Sequence, residues 1–465
     1  MLDTTLDLTL VIDIGKSHAK LLFVDATGSV LAHQGRDNRS VTAPLGYPAL
    51  DIAGLTDWLR DTLAASPYTA RCGHAIASTH GAAFVALDGQ GLAWAPLDYE
   101  FTGVQATDLS GYDSFAETFS PDLPAGLNAA RQLAWMQDTH PAAFESTLVL
   151  LPYPQYWAWW LSGVAASEIS SLGCHTHLWQ PDAARFSALA EARGWAGLFA
   201  PLHAAQDVLG TVSTARAADT GLPSACQVHV GVHDSNACLA RYLSNAQELT
   251  VVSSGTWTVL MAPDAPTTTL RAERDMLCNV NVLGQATPTA RFMGGREFAA
   301  LLDGAPPDLG TLADVGALIQ SQIFAVPSFA PQGGPFMHRQ GQVLRAGQAV
   351  ALSSLEPALR SALAALYCAQ LTAWLVLQLR PASRAATVVV EGPLAHNHLY
   401  LGLLQALLPE HLCQASTDAM EGTARGAWML SRWPAPASAH SLQAVPRHSL
   451  PALQGYHAAW LRQLD

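Results

Sequence analysis

The chain of 465 residues is half apolar, only 13% charged, and carries a net charge of −13. That length exceeds one ordinary core and points to two or three domains, while the low charged share excludes a disordered chain. The acidic balance argues against nucleic acid as the main partner, because a phosphate backbone needs a basic face.

"LTLVIDIGKSHAKLLFVDATG", from Leu8, reads as strand, glycine corner, strand and turn, the start of an antiparallel meander. Asp13 stands at the end of an apolar run, where an ionised group is costly unless it is paired or holds a metal. Gly15 would let the backbone approach a phosphate, Lys16 or Lys20 would add positive charge, and Asp13 suits Mg²⁺. The plainer alternative is a surface hairpin with solvated lysines. "AIASTHG" is a strand closing on Thr79, His80 and Gly81, where the histidine could reach a polar ligand or serve as a satisfied core residue. Asp98, in "PLDYEF", could bind hydroxyl groups or face water. "LNAARQLAWMQDTHPAAF" predicts a helix that stops at Pro141. "YPQYWAWWLSG" predicts one that ends at Gly163, with Trp157, Trp159 and Trp160 as core packing.

Further along, "QVHVGV" predicts a strand running into the helical "ACLARYL", with His233, Asp234, Ser235 and Asn236 at the junction. Asp234 there could accept a proton from a hydroxyl or simply cap the helix. His229 and His233 would lie roughly 13 Å apart on a strand, too far to share a zinc ion; Cys174, His175 and His177 form a separate cluster. "QELTVVSSGTWTVLMAPDAP", Gln247 to Pro266, repeats the strand, glycine corner, strand pattern about 240 residues after its first appearance, which suggests a duplicated fold. Ser253, Ser254, Gly255 and Thr256 would offer N–H and O–H donors to a phosphate. "SALAALYCAQLTAWLVLQL" has nineteen uncharged residues, and its Gln and Thr residues make it a buried helix rather than a membrane span. A strand "ATVVVEG" and a helix "HLYLGLLQALL" follow, and "RWPAPASAHS" marks the end of the second domain. Seven cysteines without a CxxC pair suit a reducing, cytoplasmic compartment, and Asp3 and Asp7 do not fit a signal peptide. Walker, GxGxxG, HExxH and GxSxG motifs are absent.

Taken in order, these corners resemble the FGGY carbohydrate kinases of the actin/hexokinase/Hsp70 superfamily over roughly Leu8 to Trp433. The resemblance implies an α/β chain of two RNase H-like (actin-like ATPase) domains flanking a central cleft. Residues 1–244 would form the sugar-binding and catalytic domain, 245–434 the ATP-binding domain, and 435–465 a tail. Asp234 would be the general base that accepts the proton of the attacking hydroxyl, and Thr79, His80, Gly81, Asp98 and His233 would hold the sugar. ATP would be met by the first hairpin (Gly15, Lys16, Ser17, His18, Lys20) and by Gly255 and Thr256 in the second. Gly294, together with Gly392 and Asn397 of "EGPLAHN", would complete its site, with Mg²⁺ near Asp13 and Asp234. The sequence departs from the family pattern at Lys16, where Thr or Ser is usual, at Pro393, and at "LDYEF". "SSGTW" looks most like the L-rhamnulose and L-fuculose kinase branch, which implies a deoxyketohexose substrate. The alternatives are a pentulose or tetrulose kinase, or a sugar-binding regulatory protein with weakened catalysis. The partners implied are sugar and ATP, without nucleic acid or membrane, on a monomer or homodimer.

Overall fold

Leu8–Ile14 (β1) is apolar on both faces and buried along almost its whole length, as a central strand must be. A computed structural model defines the chain and describes residues 5–109, 111–112, 114–243, 248–263, 265–380, 386–417, 422–434, 442–446 and 450–464. β1 turns through Gly15 into His18–Val24 (β2), and a turn at Asp25 leads into Val30–Asp37 (β3), giving the expected antiparallel meander. Ile52–Ala65 (α1) then crosses over, its N-terminus capped by Asp51, which accepts from the Gly54 N–H at 2.9 Å. Such a crossover is what a parallel pair requires, and Cys72–Thr79 (β4) lies parallel to β1. Tyr153–Ser162 (α2) ends at Gly163, whose φ of 79° suits glycine. Trp157 and Trp160 of this helix are buried and meet edge to face. Val208–Thr211 (β5), Gln227–His229 (β6) and Val232–His233 (β7) follow, and Asp234–Leu243 (α3) leaves directly from β7. The strand order is β5-β6-β4-β1-β2-β3, with β7 also paired to β4.

The second sheet repeats this design. Leu249–Ser254 (β8), Thr258–Met261 (β9) and Ala286–Phe292 (β10) form an antiparallel meander. Gly294–Leu302 (α4) and Pro357–Leu379 (α5) precede Thr387–Glu391 (β11), which is parallel to β8. His398–Leu407 (α6) leads to Leu412–Ser416 (β12), parallel to β11, and Leu442–Ala444 (β13) closes the edge antiparallel to β12. The order β10-β9-β8-β11-β12-β13 matches the first sheet in reverse, with β5 and β13 as antiparallel edges, and the strand Leu277–Val280 adds a further edge beside β10 that the first sheet lacks among the described residues. The nineteen-residue uncharged run lies in α5, the crossover helix, which is 83% buried along its most apolar window. Each enclosed leucine, such as Leu366, Leu371 or Leu375, contributes about 1.5–3 kcal/mol of burial.

The chain divides into two compact units: Met1–Asn245 with Cys278–Ala286 and Met420–Ala439, and Ala246–Leu277 with Thr287–Ala419 and His440–Asp465. The expected division at 244 and 434 is continuous in sequence, whereas the first unit also takes up Cys278–Ala286 and Met420–Ala439. Helix Gly422–Leu430 belongs with the first unit because Gly426 crosses α3 so closely that a Cβ would stand 1.8 Å from the Ala237 carbonyl oxygen. From His440 onward the expected tail belongs with the second unit. β13 is part of its sheet, and helix Pro451–Leu461 (α7) anchors there by donating from Trp460 Nε1 to the Ala325 carbonyl at 2.7 Å. Within the "RWPAPASAHS" segment, residues 435–441 lie outside the described residues.

Candidate active site

Three strands of the first unit end side by side. Asp13 is in register with Ser78, and Val232 and His233 with Ser78 and Thr79, so Asp13, His80 and Asp234 stand together at the carboxyl ends of these strands. The chain enters β7 through Gly231, whose φ is 88° and where a Cβ would meet the Ala77 carbonyl oxygen at 2.6 Å. Only glycine fits that turn.

His233 is clamped from three sides. Its backbone N–H donates to Ser170 Oγ at 3.4 Å, and Ser170 Oγ donates to the fully buried Glu168 at 2.6 Å. The Asn236 amide lies 3.2 Å from Nδ1, and Nε2 lies 3.1 Å from Asp234 Oδ1. With Asn236 donating to Nδ1, the proton sits on Nε2 and points at the carboxylate. Asp234 Oδ1 also accepts the Ser235 N–H at 2.6 Å, so among the described residues its bonds all fall on Oδ1, and the side chain keeps 30% exposure. Burial pushes this carboxyl up, but His233, His80 and the Ser235 N–H together outweigh it and hold the group below the ordinary aspartate range. It is therefore ionised at neutral pH, with one oxygen held and the other open. Burial pushes the Cys174 thiol up to about 12, which leaves it inert beside this cluster.

Gly81 has no room to spare: a Cβ there would stand 2.8 Å from Cys174 Sγ and 2.9 Å from His233 Nε2. His80 Nδ1 donates to the Gly81 carbonyl at 2.9 Å, leaving Nε2 as an acceptor, and burial lowers its proton affinity. Its ring meets Tyr99 and Tyr153, with centroids 5.3 and 5.2 Å away. Thr79 is fully buried at the end of β4.

Lys16 and Asp98, expected in different subsites, are partners. The Lys16 ammonium pairs with Asp98 Oδ2, stands 3.4 Å from Glu100 Oε2, and lies over the Tyr99 ring at 5.3 Å. Asp98 also accepts from Ser40 Oγ and, at 2.9 Å, from the Glu100 N–H. Burial pushes its carboxyl up, yet the Lys16 and Ser40 bonds hold it below the ordinary range. Elsewhere on this hairpin, Gly15 closes the corner by donating to the His18 carbonyl at 2.9 Å. Ser17 accepts the Asn38 N–H through its carbonyl, His18 faces Asp37 at 3.3 Å in solvent, and Lys20 sits opposite Asp13 on β2.

In the second unit four glycines converge. Gly255 closes the β8–β9 corner as Gly15 does its own, donating to the Trp257 carbonyl at 2.8 Å, and Gly255 and Thr256 are exposed. A Cβ on Gly294 would meet Thr258 Oγ1 at 2.0 Å, and one on Gly295 would meet the Gly255 carbonyl oxygen at 2.4 Å. Gly392, with φ of 76°, lies against the Ser254 carbonyl oxygen, 2.0 Å from where a Cβ would be. Asn397 caps α6, accepting the Tyr400 N–H at 2.9 Å, and reaches the Pro307 carbonyl at 3.3 Å. A cavity of about 520 Å³ opens beyond this turn, between His396, His398 and Leu401 and the edge residues Ser416 and Gln443. That volume is within the range of small-molecule sites.

Sequence reasoning gave no role to Ser40, Tyr99 and Glu100 around Lys16, nor to Glu168, Ser170 and Asn236 around His233. Asn236 alone left a signal, three residues after His233 at helical spacing. The others come from segments distant in sequence from the residue they hold: Ser40 from the strand Ser40–Thr42, Tyr99 and Glu100 from the turn after Asp98, and Glu168 and Ser170 from the start of helix Ile169–Leu172.

A divalent ion fits the donor chemistry at this edge. Asp13 and Asp234 offer hard carboxylate oxygens at the ends of the two strands that flank β4, which suit a Mg²⁺ that keeps most of its waters.

A duplicated sheet with a glycine corner in each half defines the class, a two-domain actin-like ATPase fold. A family model described as the C-terminal domain of FGGY carbohydrate kinases matches residues 246–440. A carbohydrate kinase from Novosphingobium aromaticivorans is 33% identical, with a TM-score of 0.89 and 99% of each chain covered. A xylulose kinase from Rhodospirillum rubrum (18% identity, 98% of this chain and 97% of the other, TM-score 0.76) shares the fold. So does Plasmodium falciparum glycerol kinase with ADP (10%, 98% and 97%, 0.78). The search of curated proteins returned no match. The chain belongs to the FGGY carbohydrate kinase family, and it is a sugar kinase.

Proposed function

We propose that the protein transfers the γ-phosphoryl group of ATP to a terminal hydroxyl of a ketose, with Asp234 as the general base. The observation that supports this most is the one-sided hold on Asp234: Oδ1 is fixed by His233 and Ser235, while the ionised group keeps an open oxygen. A sugar hydroxyl placed there would lose its proton to Asp234 as its oxygen attacks. His80, Thr79, Gly81, Asp98 and His233 would line the sugar side. The glycine corners of both units, with Gly294, Gly392 and Asn397, would receive ATP through backbone N–H groups. Mg²⁺ at Asp13 and Asp234 would neutralise charge on the phosphates when bound.

The ketose we favour is a deoxyketohexose such as L-fuculose or L-rhamnulose, for which "SSGTW" is the support. An ATP-coupled screen of ADP release across L-fuculose, L-rhamnulose, xylulose, erythrulose, gluconate and glycerol tests it. Highest kcat/KM on a deoxyketohexose supports the assignment, and preference for xylulose or erythrulose replaces it with a pentulose or tetrulose.

A further inference from the structure

Lys16 follows the corner glycine of the first hairpin, where the sequence leads one to expect a cation aimed at phosphate. Its ammonium instead touches only Asp98, Glu100 and the Tyr99 face among the described residues. We propose, building on the kinase reading above, that Lys16 is a phosphate ligand gated by the sugar. Without sugar it is held by Asp98, and a sugar hydroxyl that donates to Asp98 releases it to the γ-phosphate of ATP.

The surroundings allow this exchange. Asp98 is nearly inaccessible, with a side chain only 3% exposed, so a loss of all its donors would leave a buried charge unpaired. It has two further donors, Ser40 Oγ and the Glu100 N–H, and these remain when Lys16 departs. A sugar hydroxyl would take the third place. Lys16 has an open side, with 19% exposure, and its second partner Glu100 is 69% exposed and screened by water. The ammonium is thus tied firmly at one point only. The Tyr99 ring contacts both Lys16 and His80, so the tether borders the side of the site assigned to the sugar. Once free, the ammonium gains more from a multiply charged γ-phosphate than from a carboxylate already holding two donors. The benefit is selective: without sugar, ATP lacks a cation that stabilises phosphoryl transfer, and water is a poorer competitor as acceptor.

The test measures ADP release from MgATP with no sugar present, and again with the best ketose of the screen. Asp98→Asn is expected to raise sugar-independent ADP release by roughly three- to tenfold, the population a part-buried ion pair holds back. Glu100→Gln, on an exposed side chain, should give a smaller rise in the same direction and covers the case in which Asp98→Asn fails to fold. Lys16→Met should lower kcat with sugar by about a hundredfold and abolish the rise when combined with either variant. Unchanged sugar-independent release in both carboxylate variants overturns the gate. So does a Lys16→Met enzyme that keeps its kcat and shows only a higher sugar KM, the behaviour of a static strut. Wild-type protein that releases no ADP with any sugar of the screen removes the kinase reading and the gate with it. Wild-type turnover with flat variants removes the gate alone.

Discussion

His233 Nε2 lies 3.1 Å from Asp234 Oδ1, although the two residues are chain neighbours at the point where β7 becomes α3. Adjacent side chains on a strand point to opposite faces; the change to helix at residue 234 brings both to the same edge. His233 thereby fixes the rotamer of the carboxylate. His233→Leu should lower kcat by about tenfold or more with an unchanged ATP KM, because the base loses its orienting donor and the nucleotide does not. Steady-state kinetics with ATP and sugar varied separately check this.

Gly81 sets the spacing on the other side. A methyl group there would sit 2.9 Å from His233 Nε2 and 2.8 Å from Cys174 Sγ, so Gly81→Ala displaces the ring by a fraction of an ångström. A shift of that size should cost roughly ten- to a hundredfold in turnover. Far-UV circular dichroism should remain native, since Gly81 has no left-handed φ to strain.

Gly392 is different. Its φ of 76° and a backbone oxygen 2.0 Å from the would-be Cβ leave an alanine no accommodation. Gly392→Ala should destabilise the protein by about 2–4 kcal/mol and weaken ATP binding, read from urea midpoints and from nucleotide titration.

The first unit also contains a pair of histidines outside the site. His74 Nδ1 and His229 Nε2 are 3.0 Å apart, His229 Nδ1 donates to the Gln206 carbonyl at 2.8 Å, and Arg432 adds positive charge nearby. Burial first, then His229 and Arg432, lower the His74 pKa from 6.5 to about 4. The folded state therefore binds fewer protons than the unfolded one in that interval. Stability should be complete above about pH 6.5 and fall progressively towards pH 4. His74→Gln should flatten this stretch of a urea midpoint against pH curve.

Much of the fold was legible because its signals are local. The Gly15 and Gly255 corners, the Gly163 stop of α2 and the apolar run of α5 each follow from a few adjacent residues. The repeated hairpin disclosed the duplication, and β1 to β4 and β8 to β11 carry it through in the same order. Pairings across long sequence separations were not legible. Nothing near Lys16 in the chain announces Asp98, which arrives on a loop after β4, and nothing near Asp98 announces Ser40. The return of Met420–Ala439 to the first unit depends on Gly426 meeting Ala237, a packing relation between helices that no periodicity records. The last segment read as a tail because its strand is only three residues long, and it is fixed by its partner β12 rather than by its own pattern.

Residue 234 as the proton acceptor is tested most directly by the isosteric change Asp234→Asn, with ATP binding and sugar-dependent ADP release measured on the same preparation. Nucleotide affinity within about twofold of wild type and turnover lowered by about 10²–10⁴ is the expected outcome. Turnover near the wild-type value, with ATP still bound, would contradict the assignment.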